Sequence, residues 1–144
     1  MVQKYCPQCR YFKNVAAIIL IWVIPIVFSA QPAASNYTYS VVISEAAYAD
    51  GEWKEVADAL LTKHDTYDAR MFKWSNSVTD VKSQLSEFMP RYIGFIAMPV
   101  SECNAAFVAT VSRMTRGLDS DPYGDAYWGI ITGYEAADAL RAII

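Results

Sequence analysis

Four short runs rich in β-branched and aromatic residues alternate with four longer stretches whose apolar residues recur at helical spacing. No other feature restricts the fold as much. The first run, Asn36 to Ser44, ends in the unbroken Val41-Val42-Ile43, the pattern of a strand covered on both faces. The second, Asp68 to Trp74, alternates. The third, Tyr92 to Met98, is the most apolar segment after residue 35, and Pro99 ends it. The fourth is Tyr127 to Ile131. Between the first two, Trp53, Val56, Ala57, Leu60 and Leu61 form one buried stripe of a helix over Asp50 to His64, with Asp50 as its N-cap. Ser77 and Asp80 have capping-box spacing ahead of a second stripe, Val78, Val81, Leu85, Phe88 and Met89. Asn104 opens a third helix carrying Phe107, Val108, Val111 and Met114, and Gly117 closes it. A fourth runs from Tyr134 to Ile144. The order βαβαβαβα implies α/β architecture: a three-layer, Rossmann-like sandwich with a mainly parallel sheet of about four strands and helices on both faces.

This pattern occupies residues 36–144, enough for one small domain. Residues 1–35 are different. Lys4, Arg10 and Lys13 make a basic head without acids, Val15 to Phe28 is apolar, and a tail of mostly small residues follows. These are the parts of a signal peptide. The alternative is a retained membrane anchor through residues 15–30, because a spanning helix needs only about 20 apolar residues. Either way the domain is expected outside the cytoplasm, secreted or held at the membrane. Asn36-Tyr37-Thr38 is formally a glycosylation sequon.

Beyond the leader, nine basic residues face fifteen acidic ones, a formal charge of −6. That excludes nucleic acid as an expected partner, since phosphate contacts need a basic surface. Cys6 and Cys9 are half of a zinc site or a redox pair, but no second pair accompanies them. With the leader removed, Cys103 stands alone and no intramolecular disulfide can form.

In a parallel sheet of this kind ligands bind beyond the carboxyl ends of the strands. Glu45, Asn76 and Glu102 follow three strand ends and are the candidate ligand-binding residues. Cys103 also follows a strand, whereas His64 precedes one. The order of elements puts them at opposite edges, about a strand length apart, and argues against a Cys–His dyad. The turn after the first strand has a single glycine and matches no phosphate-binding motif. Asp119, Asp121 and Asp125 offer oxygen ligands of the kind calcium takes, although the twelve-residue calcium-loop pattern is absent; the competing reading is a polar turn around Pro122 and Gly124. No catalytic residue and no cofactor are expected.

The chain resembles the α/β subdomain that precedes the catalytic subdomain in secreted gingipain-type cysteine peptidases, relatives of the caspases. Tyr39 to Ser44, the helix Glu52 to Leu61 and the apolar Tyr92 to Met98 carry the likeness. So do Asp121-Pro122-Tyr123-Gly124-Asp125 and the strand-glycine-helix run Gly129 to Leu140. Two positions depart from that family's pattern: Tyr134 follows Gly133 where arginine is usual, and Met98-Pro99 stands where a Gly-Asp pair is common. The family's His-Gly and Ala-Cys elements belong to the next subdomain, so the resemblance transfers no catalytic residue. It implies a non-catalytic domain, whose expected partner is a C-terminal catalytic subdomain or another protein. The chain stops on the apolar Ala142-Ile143-Ile144, which raises the expectation of a shortened or docked helix; plain end-packing is the alternative. A further reading is a small flavodoxin-like module of the cell exterior that binds a ligand or partner. A third is a hydrolase using Glu45 and Glu102.

Overall fold

The computed structural model describes residues 37–121 and 123–143. The leader, the Cys6–Cys9 pair, Asn36 of the sequon, Pro122 and Ile144 lie outside them.

Four strands form one parallel sheet: β1 (Tyr39–Ser44), β2 (Ala69–Trp74), β3 (Tyr92–Ile96) and β4 (Tyr127–Ile131). Their order is β2-β1-β3-β4. The chain moves from β1 to β2 on one side, then returns past β1 to β3 on the other. That reversal creates a topological switch point between β1 and β3.

Alternation of side chains along the strands builds two cores. On one face Val41, Ile43 and Ile96 pack under α1 (Glu45–Ala49), α2 (Gly51–Lys63) and α5 (Ala136–Ile143). On the other Val42, Ile93 and Phe95 pack under α3 (Lys82–Phe88) and α4 (Ala105–Thr115). The expected three-layer α/β sandwich is therefore what the chain forms. β1 and β3 are buried on both faces because they are central, which accounts for their unbroken apolar runs.

The caps follow the sequence closely. Asp50 accepts from Glu52 N and Trp53 N at the start of α2. The Ser77–Asp80 capping box is formed, and Asn104 Oδ1 accepts from Phe107 N at the start of α4.

Several boundaries differ from expectation. α1 is a single turn inserted where the sequence reads as a loop, because Ser44 caps it at once. The second stripe begins as a 3-10 turn, Val78–Val81, and Met89 leaves α3 in a left-handed conformation, exposed rather than buried. Val108 is also exposed. Gly117 does not close α4 with a left-handed turn; Arg116 is its C-cap and no glycine among the described residues has positive φ. α5 starts at Ala136, not Tyr134, which is 95% exposed.

Gly94 has a packing reason. A Cβ there would lie 2.7 Å from the Tyr39 hydroxyl and 2.8 Å from Leu60 Cδ2. The glycine lets the Tyr39 ring and α2 close onto the sheet. No helix among the described residues is long and apolar enough to cross a membrane.

Candidate functional site at the carboxyl edge of the sheet

Ser44 is the last residue of β1 and sits at the switch point. Its Oγ accepts from Ala47 N at 2.8 Å, capping α1, and donates to Glu102 Oε1 at 2.5 Å. The second carboxylate oxygen, Oε2, accepts from Met98 N at 2.9 Å. Glu102 N and Cys103 N both donate to Met98 O. The loop after β3 is thus folded around one carboxylate and tied to the end of β1. Val100 lies at its tip with φ of 64°, 97% exposed. Left-handed backbone is unfavourable for a β-branched residue, so the loop carries strain held by its anchors.

The three candidate ligand residues do not converge. Asn76 and Glu102 share a groove of about 230 Å³ with Trp74, Ser77 and Asn104. Glu45 is not among its lining residues; it is the exposed first residue of α1. Both Glu102 oxygens are committed to protein donors, whereas Asn76 uses its backbone N–H on Asp80 Oδ2 and its side-chain amide on Ser75 Oγ. Trp74 Nε1 is buried without a hydrogen-bond partner among the described residues. Asp80, accepting the Asn76 and Ser77 amides, titrates below its ordinary 3.8.

Asp119, Asp121 and Asp125 do come together: one oxygen from each lies within 4.8 Å of the others. All three carboxylates already receive loop amides. Asp125 Oδ2 accepts from Leu118 N and Asp119 N, Asp119 Oδ1 from Asp121 N, and Asp121 Oδ1 from Tyr123 N. The cluster shapes the turn leading to β4, at the amino edge, where Tyr127 N reaches Arg91 O.

Cys103 and His64 are placed at opposite edges. Cys103 folds back on Met98 beyond the end of β3, while His64 stacks on Tyr39, the first residue of β1, with ring centroids 3.9 Å apart. Burial, and then the neighbouring Lys63 charge, hold His64 below the ordinary 6.5 of an imidazole. Burial raises the Tyr39 phenol above its ordinary 10.0.

Sequence reasoning missed two things. One is the double role of Ser44, which only the spatial neighbourhood of Glu102 reveals. The other is an aromatic cluster at the amino edge, made by Tyr37, Tyr39, His64, Tyr67 and Tyr92. A signal for it existed: strands β1, β3 and β4 all begin with tyrosine, and the register aligns Tyr39 with Tyr92 and Tyr92 with Tyr127.

No protein-family model matches the chain, and no curated protein or solved structure matches it significantly.

Proposed function

We propose that this chain is a non-catalytic α/β domain that works outside the cytoplasm, resembling the N-terminal subdomain of a gingipain-type cysteine peptidase and supporting a catalytic partner. The observation that carries this reading is the open side of β4. β4 pairs with β3 along one edge and, among the described residues, with nothing along the other. Its sequence is that of an interior strand, Tyr-Trp-Gly-Ile-Ile, yet Tyr127 is 63% exposed and Trp128, Ile130 and Ile131 are only partly covered. It has none of the charges, prolines or bulges that usually protect an edge. An apolar edge of this kind suits continuation of the sheet by strands from a further subdomain or another protein. The separation of Cys103 from His64 fits a domain that does no thiol chemistry alone.

The test is hydrolysis of a panel of chromogenic peptides by this chain and by Cys103→Ser. The expected result is no thiol-dependent turnover. Turnover lost in Cys103→Ser would overturn the reading. The groove holding Asn76 and Glu102 favours a second reading, a flavodoxin-like binding module. Ligand-dependent protection of Asn76 and Asn104 amides from exchange would select it.

A further inference from the structure

We propose that the amino edge of the sheet holds an aromatic cage for a small quaternary ammonium group, formed by Tyr37, Tyr39, His64, Tyr67 and Tyr92 around a cavity of about 240 Å³. This site lies at the end of the sheet away from the groove described above, and the proposal does not depend on the peptidase reading.

The walls are rings throughout. Tyr39 and His64 stack with 13° between their planes, Tyr67 tilts against His64 at 5.7 Å, and Tyr37 meets Tyr92 edge to face at 6.0 Å. The tyrosines come from separate elements. Tyr39 and Tyr92 open adjacent strands, and Tyr67 closes the 3-10 turn Asp65–Tyr67 that follows α2. Their hydroxyls make no hydrogen bonds to the protein among the described residues, so nothing turns the phenols into a polar network. The volume is below that of a drug-sized pocket and suits a headgroup-sized ligand.

Ring faces attract cations through the aromatic quadrupole. A quaternary ammonium suits such walls better than a primary one, because it has no N–H donors to leave unsatisfied when water is removed. Nearby charges act in both directions. Burial, and then the Lys63 charge, favour the neutral form of His64. The domain is acidic overall, and Asp65 at the start of the Tyr67 turn is exposed and in no ion pair among the described residues. Tyrosine faces along this edge already receive a cation: the Arg91 guanidinium lies 5.8 Å from the Tyr37 ring and 5.0 Å from Tyr127. Arg91 is not a lining residue of the cavity, so it stands beside the proposed ligand as a like charge.

A free solute and a lipid headgroup could both supply the trimethylammonium group. The probes are choline and phosphatidylcholine vesicles, added to the full chain and followed by the methyl proton shifts of choline and by co-sedimentation. Choline should bind with Kd on the order of 1 mM and show upfield methyl shifts from the ring currents. Tyr67→Ala should weaken binding about tenfold, Tyr67→Phe should restore it, and Arg91→Gln should tighten it. Vesicle binding that choline competes away assigns the source to lipid; choline binding alone assigns it to a free solute. Equal binding of the uncharged analogue 3,3-dimethylbutanol overturns the proposal, because the cavity would then be merely apolar. So does choline binding that Tyr67→Ala leaves unchanged in a variant with the wild-type circular dichroism spectrum, and so does the absence of choline binding.

Discussion

Ser44 Oγ and Glu102 Oε1 lie 2.5 Å apart, joining the end of β1 to the loop after β3 across the switch point of the sheet. Ser44 also caps α1 through Ala47 N. One hydroxyl therefore fixes a helix start and a loop together. Ser44→Ala removes the cap acceptor and leaves a partly buried carboxylate oxygen without its donor, and should cost about 2 kcal/mol. Glu102→Gln keeps an acceptor for Met98 N and should cost about 1 kcal/mol or less. Urea denaturation of both variants tests the ranking. Wild-type stability in Ser44→Ala would mean that the hydroxyl bonds do not hold this edge.

Gly94 and Tyr39 should behave as a coupled pair. Gly94→Ala brings a methyl group into the 2.7 Å contact with the Tyr39 hydroxyl and the 2.8 Å contact with Leu60, an overpacking cost of about 1–3 kcal/mol. In a Tyr39→Phe background the first contact disappears and the second remains, so the penalty should shrink without vanishing. A double-mutant cycle with no coupling would place the phenol elsewhere.

Val100 predicts a gain. Its φ of 64° costs a β-branched residue about 1–3 kcal/mol, and its side chain is almost wholly in water. Val100→Gly removes the strain but loosens the unfolded chain, for a net stabilisation of about 1 kcal/mol. A melting temperature below wild type would show that the loop does not hold this conformation.

His64 sets a pH dependence. Its folded-state titration is depressed, by burial first and Lys63 second, so above 6.5 both folded and unfolded forms are neutral and the full stability is present. As pH falls through 6.5 the unfolded chain takes up the proton first. Stability must then fall, levelling once the folded imidazole is also protonated. Stability at pH 7.5 should exceed that at pH 5.5, and His64→Gln should reduce the difference. A wild-type protein equally stable or more stable at pH 5.5 would contradict this.

The layered fold was legible because local signals agreed. Unbroken Val41-Val42-Ile43 and Tyr92 to Met98 mark the two central strands, and Asp50, Ser77 and Asn104 mark helix starts with the side chains that cap them. Boundaries failed where one residue had two options. Ser44 could end a strand into a loop or cap a helix, and its contacts with Ala47 N and Glu102 decide between them. The candidate site was half legible. Strand ends put Asn76 and Glu102 in one groove, but hydrogen-bond partners are not written in spacing, so the inward commitment of Glu102 was hidden. The tyrosine cluster was hidden for a related reason. It depends on register between β1 and β3, which aligns Tyr39 with Tyr92 across more than fifty residues of chain.

β4 is the sheet's open edge, and the proposed function gives it an outer neighbour from a catalytic subdomain or a separate partner. The most direct test is the nucleotide sequence beyond the codon for Ile144. The expected result is a reading frame that continues through a further α/β region with a His-Gly and an Ala-Cys after successive strands. A frame that closes without those elements, in a protein that takes up no partner strand along β4, would contradict it.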